Sequence, residues 1–181
     1  MLDTIFGLPV HALVVHAPVG VVPSAALAVA LAAAWPRFRR WAGFLPLLLS
    51  LGGLVLVPVS TSSGASLERR VPPSALVERH TQLGEGLLVW VIVLTVAAAG
   101  LYALRWQESR TAVPSTRRQT NRTVLAATGL VLALSLVGVA GTVVQVVRIG
   151  HSGAQAAWSD VATTTMAPTP TPAPRPLGPT G

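Results

Sequence analysis

Four long apolar runs separated by polar segments dominate the pattern of the chain. No Asp, Glu or Arg lies inside these runs, which cover residues 8–34, 44–60, 86–104 and 124–147. A helix needs roughly 20 apolar residues to cross a hydrocarbon core about 30 Å thick. Backbone groups in lipid must be hydrogen-bonded internally, so runs of this length are expected to be helical. The pattern predicts an all-α fold, an integral membrane four-helix bundle. Its spans, with flanking residues, are about 8–34, 43–60, 84–104 and 124–147.

The composition agrees with a membrane location. Of the 181 residues, 51% are hydrophobic and 10% are charged, whereas about a quarter of a soluble domain is charged. Cysteine is absent, which excludes disulfides, iron–sulfur clusters and covalent c-type haem. The net charge of +7 comes from arginines that flank the apolar runs. They are therefore interpreted as topology signals, and nucleic acid is not expected as a partner.

The distribution of arginine predicts how the chain crosses the membrane. The connections between spans one and two and between spans three and four carry eight arginines and one acid, Glu108. The other side carries five arginines and five acids. Because positive charge collects on the cytoplasmic side, both termini are predicted to be extracytoplasmic, with the protein in the plasma (inner) membrane.

The last part of the chain differs in composition from the rest. Residues 161–181 are rich in Thr, Pro and Ala, a composition that cannot form a packed core. We therefore divide the chain into a transmembrane domain, 1–160, and a disordered, Pro/Thr-rich extracytoplasmic tail, 161–181.

All four histidines fall at the predicted outer end of the bundle. His11 and His16 lie in span one, His80 precedes span three, and His151 follows span four. On a regular helix His11 and His16 point about 140° apart, so both face the bundle only if a proline distorts the turn. Ordinary alternatives remain: a solvated surface position for His80, a local cap for His151, and a neutral, hydrogen-bonded imidazole for His16.

The exits of spans two and four share the residues Ser-Gly-Ala, at 63–65 and 152–154. Glycine just beyond a helix end is a common stop signal, so simple capping explains the match. Duplicated hairpins, related by an axis along the membrane normal, are the alternative explanation. The sequence leaves both explanations open.

The stretch Val10-His11-Ala12-Leu13-Val14-Val15-His16-Ala17-Pro18-Val19-Gly20 resembles the HPLLVHFPIG signature of the bacterial membrane family called domain of unknown function 2231. The resemblance covers residues 9–158, with further correspondences at His80 and at 150–154. Ala12 replaces the family's usual proline and Ala17 its aromatic residue. The resemblance implies a four-helix membrane fold, and its histidine pattern looks like that of small b-type cytochromes.

The first functional hypothesis is non-covalent b-type haem in a protein that transfers electrons. Imidazoles on different helices can supply axial ligands, with His11 paired with His80 or His151. His16 would be a deeper ligand or a proton partner, and nearby arginines would pair with the propionates. The cofactor-binding candidates are His11, His16, His80, His151, Arg79 and Arg148.

Two other hypotheses stay open. His11, His80 and His151 could hold zinc or copper, completed by an acid, although no HExxH spacing is present. The protein could instead be a non-enzymatic structural, interaction or pH-sensing module. Whether it is an enzyme is left undecided. Besides the lipid bilayer, the candidate partners are a redox protein and further copies of the chain.

Overall fold

The computed structural model describes residues 4–5, 8–110 and 122–166. Most of the tail segment 161–181 lies outside the described residues. Two short antiparallel strands, β1 (Thr4–Ile5) and β2 (Leu8–Pro9), precede the helices. The helices are α1 Val10–Val14, α2 His16–Ala34, α3 Pro36–Ala42, α4 Leu45–Glu68, α5 Ala75–Arg110 and α6 Arg122–Met166.

Four helices, α2, α4, α5 and α6, are long and apolar enough to cross a membrane. The all-α expectation is therefore confirmed, and the protein is a membrane protein with four candidate spans. Large apolar side chains cover the outside of the bundle; Leu130 and Leu136, for example, are 69% and 72% exposed. Such a surface suits lipid, because a soluble protein rarely exposes large contiguous apolar areas.

The spanning helices pack around a central pair. Both α2 and α5 contact each other and also contact α4 and α6. One apolar cluster includes Val29 of α2 and Leu94 of α5, and a second joins Val22 and Val91 to Val57 of α4. Small residues on α2 permit this close approach, since packing rather than hydrophobicity drives helix association in lipid.

The pattern of buried residues on α2 repeats on α5 at a constant separation in sequence. The number of residues that separates His11 from His80 also separates the members of each pair of buried residues on the two helices. These pairs are Pro18 and Leu87, Val22 and Val91, Ala25 and Leu94, Ala28 and Ala97, Val29 and Ala98, and Ala32 and Leu101. A glycine contact repeats too. A Cβ added at Gly52 would touch Val21, and one at Gly141 would overlap the ring of Trp90.

The first span is divided at Val15 into α1 and α2. Val15 itself has helical dihedral angles, φ −61° and ψ −25°, and backbone hydrogen bonds run from Val15 to His11 and from Val19 to Val15. Pro18 has no N–H to donate to the carbonyl of Val14, which accounts for the interruption at this turn. His11 lies on α1 and is partly buried, whereas His16 lies on α2 and is exposed.

The helices extend further at the histidine-bearing end than the apolar runs indicated. α4 continues to Glu68, α5 begins at Ala75 and α6 continues to Met166, because intrahelical hydrogen bonds need no apolar side chains once the helix leaves lipid. Gly64 and Gly153 consequently lie inside helices. The capping explanation for the repeated Ser-Gly-Ala was therefore wrong.

The helix α3 and the last turns of α5 lie at the opposite end. Buried Arg39 of α3 forms an ion pair with Glu108 of α5 and donates to the carbonyl oxygen of Ala32 over 2.9 Å. Arg105 of α5 donates to the carbonyl oxygen of Arg40 over 3.4 Å. We call this region the arginine end. The region containing His11, Ser63, His80 and Ser152 is the histidine end.

Candidate functional site

His11 projects from α1 onto the part of α4 at the histidine end. Its Nδ1 atom lies 3.0 Å from the Oγ atom of Ser63. The Ser63 hydroxyl also donates to the carbonyl oxygen of Ser60 over 2.8 Å. The imidazole is partly buried, because α1 packs against α4.

His80 repeats this arrangement between α5 and α6. Its Nδ1 atom lies 3.1 Å from the Oγ atom of Ser152. The Ser152 hydroxyl donates to the carbonyl oxygen of Ile149 over 3.0 Å. His11, on the short helix ahead of α2, thus contacts a serine of α4, and His80, near the start of α5, contacts a serine of α6.

The serine contacts favour one tautomer of each imidazole. A serine hydroxyl has one proton, and a carbonyl oxygen can only accept. The hydroxyls of Ser63 and Ser152 both lie within hydrogen-bond distance of a backbone carbonyl oxygen, which favours the tautomer whose Nδ1–H donates to Oγ. In that neutral tautomer the Nε2 atom would retain its lone pair. Metal-ligating histidines use this arrangement, because a bond at one nitrogen orients the other.

Glycine provides the space for each ring. A Cβ at Gly64 would lie 3.1 Å from Cε1 of His11, and a Cβ at Gly153 would lie 3.0 Å from Cε1 of His80. A larger residue would push the ring away from its serine. Ser-Gly is therefore a two-residue cradle, in which serine binds the imidazole and glycine admits it.

The surroundings of His11 lower its pKa. Burial lowers the pKa of His11, a backbone hydrogen bond to Ser60 raises it, and the nearby charge of His80 lowers it again, with a net lowering. His11 precedes the candidate span His16–Ala34. The neutral imidazole, which carries the free lone pair, is therefore favoured at His11.

The other candidate residues are placed differently. His16 and His151 have exposed side chains, as do Arg79 and Arg148. Among the residues that the structure describes, no group of three or more His, Asp or Glu is arranged to hold a metal ion. The structure thus places His11 against Ser63 and His80 against Ser152, and it does not assemble the three-histidine metal set with His151.

Serine and glycine were the residues that sequence reasoning missed. The repeated Ser-Gly-Ala was the available signal, but its meaning depended on the histidines that contact it.

Other polar contacts join helices between the histidine end and the middle of the bundle. Buried Gln145 donates to the carbonyl oxygen of Leu83, and Thr142 donates to that of Trp90 over 3.5 Å. Interhelical bonds of this kind hold helices together in lipid.

These features define a four-span helical membrane protein with two serine-bound histidines at one end. The chain belongs to the family described as predicted membrane protein (DUF2231), whose model matches residues 7–166. The resemblance seen in the signature around His11 and His16 is therefore confirmed. No curated protein and no solved structure matches the chain.

Proposed function

We propose that the protein binds one b-type haem at the histidine end and transfers single electrons. In this proposal His11 and His80 would hold the haem. The observation that carries it is the repeated Nδ1–serine contact, since a tautomer with hydrogen at Nδ1 would have its lone pair at Nε2. The two residues lie on different helices, and cofactor sites in helical bundles are built from side chains on different helices.

The number of available ligands favours haem over zinc. Structural zinc takes four protein ligands and catalytic zinc three, whereas the described residues contain no such group. Haem iron needs only two axial ligands, because the porphyrin occupies the other positions. Two imidazoles are sufficient for haem and insufficient for the usual zinc site.

Two serines and two arginines each have a defined part in this proposal. Ser63 and Ser152 orient the imidazoles, and the bonds they accept increase the basicity of the Nε2 atoms. Arg79 and Arg148 are exposed at the same end and can pair with carboxylates through charged hydrogen bonds. When bound, the cofactor supplies one-electron chemistry, and the protein tunes its potential.

We also propose that the histidine end faces away from the cytoplasm, in the plasma membrane. The excess of arginine at the opposite end supports this orientation. Cysteine can be introduced into the natural cysteine-free chain at Glu78 or Arg37 and labelled with an impermeant thiol reagent in intact cells. Labelling at Glu78→Cys and protection at Arg37→Cys are expected. The reverse pattern would overturn the orientation.

Visible spectroscopy tests haem binding directly. The full chain, purified in detergent and titrated with haemin, is expected to give a Soret band at one haem per chain. Dithionite should shift it to a reduced b-type spectrum. His11→Ala or His80→Ala should abolish the six-coordinate spectrum, while His151→Ala should preserve it. A protein without saturable binding, or variants indistinguishable from the parent, would refute the proposal; stoichiometric zinc or copper by elemental analysis would favour the metal hypothesis.

A second candidate is a pH-sensing membrane module, favoured by the lowered pKa of His11. Protonation of His11 costs burial energy and repels His80. Because the pKa of His11 is lower in the folded chain than in the unfolded chain, the unfolded chain takes up its proton at a higher pH. Stability is therefore complete above about pH 6.5, the ordinary histidine value, and falls as the pH drops below it. Thermal unfolding between pH 8 and pH 5 should show this loss, and His11→Gln should reduce it. An unchanged pH profile in His11→Gln excludes this mechanism.

A further inference from the structure

The arginine end presents positive charge without a counter-charge from the protein. Glu108 is the only acid in the two connections at this end, and it is paired with buried Arg39. Within the described part of the chain, exposed Arg37 and Arg40 form no ion pair. Arg105 bonds only to the backbone oxygen of Arg40. The cluster therefore lacks an anion.

The fold brings these three guanidinium groups into one region. Arg37 and Arg40 are three residues apart on α3 and so lie on neighbouring turns of one face. Arg105 reaches α3 from α5. The chain turns after α3 at Gly43, where φ is 62°, and the Arg105 guanidinium lies 3.8 Å from where a Cβ would stand. α3 is held in place by the buried bonds of Arg39 to α2 and α5, so the cluster is preorganised.

Aromatic side chains indicate the depth of the cluster in the bilayer. Trp35, Trp41 and Trp106 are 54%, 77% and 58% exposed. Exposed tryptophan is characteristic of the headgroup level of a membrane. Phe38 packs partly against the core and contacts Trp41, with ring centroids 5.7 Å apart. This anchors α3 as a short helix at the interface, with its arginines at the depth of lipid phosphates.

We propose that Arg37, Arg40 and Arg105 bind the headgroup phosphate of an anionic phospholipid. Guanidinium groups match phosphate oxygens in geometry and charge. An anionic lipid relieves the repulsion among three neighbouring arginines, whereas a zwitterionic lipid brings its own cation and relieves it less. Basic sites between membrane helices commonly select anionic headgroups for this reason. This site is independent of the histidine end.

Native mass spectrometry of the full chain in a non-ionic detergent tests the proposal. Phosphatidylglycerol is added in parallel with phosphatidylcholine of the same acyl chains. Selective retention of phosphatidylglycerol is expected. The double variant Arg37→Gln/Arg40→Gln should bind it about thirtyfold more weakly, which corresponds to about 2 kcal/mol for two arginines. Arg37→Lys/Arg40→Lys should lose less, because it keeps the charge.

The control is Arg69→Gln/Arg70→Gln, which removes two exposed arginines from the opposite end. It should bind phosphatidylglycerol as the parent does. Equal binding of the two lipids, or equal losses in both double variants, overturns the proposal. If Arg37→Gln/Arg40→Gln does not fold, the single substitutions replace it, since each exposed side chain can be changed without touching the Arg39–Glu108 pair.

Discussion

The Nδ1 atom of His80 lies 3.1 Å from the hydroxyl oxygen of Ser152, although 72 residues separate them. The same contact joins His11 to Ser63 over 3.0 Å across 52 residues. Each histidine therefore closes its own helical hairpin at the histidine end. Together with the repeated burial on α2 and α5, this pairing favours duplicated hairpins as the origin of the two Ser-Gly-Ala sequences.

Replacing the serine that binds a histidine should destabilise the protein. Ser63→Ala leaves Nδ1–H of His11 without its acceptor, which should cost about 1–2 kcal/mol in the free energy of unfolding. Thermal or denaturant unfolding in detergent measures the loss. The control is Ser62→Ala, one residue away, because the exposed Ser62 hydroxyl bonds only its own helix at Val59. Equal losses in the two variants would argue against a role for the imidazole contact.

Two glycines of α6, Gly150 and Gly153, can be compared by the same substitution. Gly153→Ala places a methyl group 3.0 Å from Cε1 of His80 and should displace the ring from Ser152. Gly150→Ala meets nothing within 4 Å and should be neutral or stabilising, by up to about 1 kcal/mol through helix propensity. In protein labelled at histidine, the side-chain nitrogen chemical shifts of His80 should change in Gly153→Ala and stay the same in Gly150→Ala. A changed His80 signal in Gly150→Ala would contradict this account.

Gly141 should tolerate no side chain while Trp90 is present. A Cβ at Gly141 overlaps the Trp90 ring, so Gly141→Ala should cost about 1–3 kcal/mol, the usual range for overpacking. Adding Trp90→Val should recover much of the loss, because it reproduces the relaxed contact of Gly52 with Val21. Unfolding midpoints of the single and double variants provide the measurement. Additive losses in the double variant would show that the two positions are not coupled.

The ion pair at the arginine end should be strongly coupled. Glu108→Ala leaves the guanidinium of Arg39 buried without its carboxylate, which should cost about 3 kcal/mol or somewhat less, since Glu108 is partly exposed. Arg39→Met combined with Glu108→Ala should be more stable than Glu108→Ala alone. A double-mutant cycle on unfolding free energies measures the coupling. A coupling near zero would mean that the pair does not stabilise the connection between α3 and α5.

Much of the fold follows from the sequence alone. Apolar runs long enough to cross a bilayer leave the backbone one solution, a helix that satisfies its own hydrogen bonds. The family signature around His11 and His16 gave the same architecture. The sequence also indicated that His11, His80 and His151 share one end, because the connections alternate in direction. These conclusions need only length, hydropathy and local motifs.

Only the tertiary structure decided what the individual residues do. His11 was placed against Ser63 of α4, and His16 was left exposed. Gly64 and Gly153 lie within helices and contact the imidazoles of His11 and His80. Arg39 forms an ion pair with Glu108 at the arginine end. Each of these outcomes depends on which faces of distant helices meet. Hydropathy specifies that a segment lies in lipid, but partners separated by 50 or more residues are chosen by packing geometry, which a linear pattern of apolar residues does not encode.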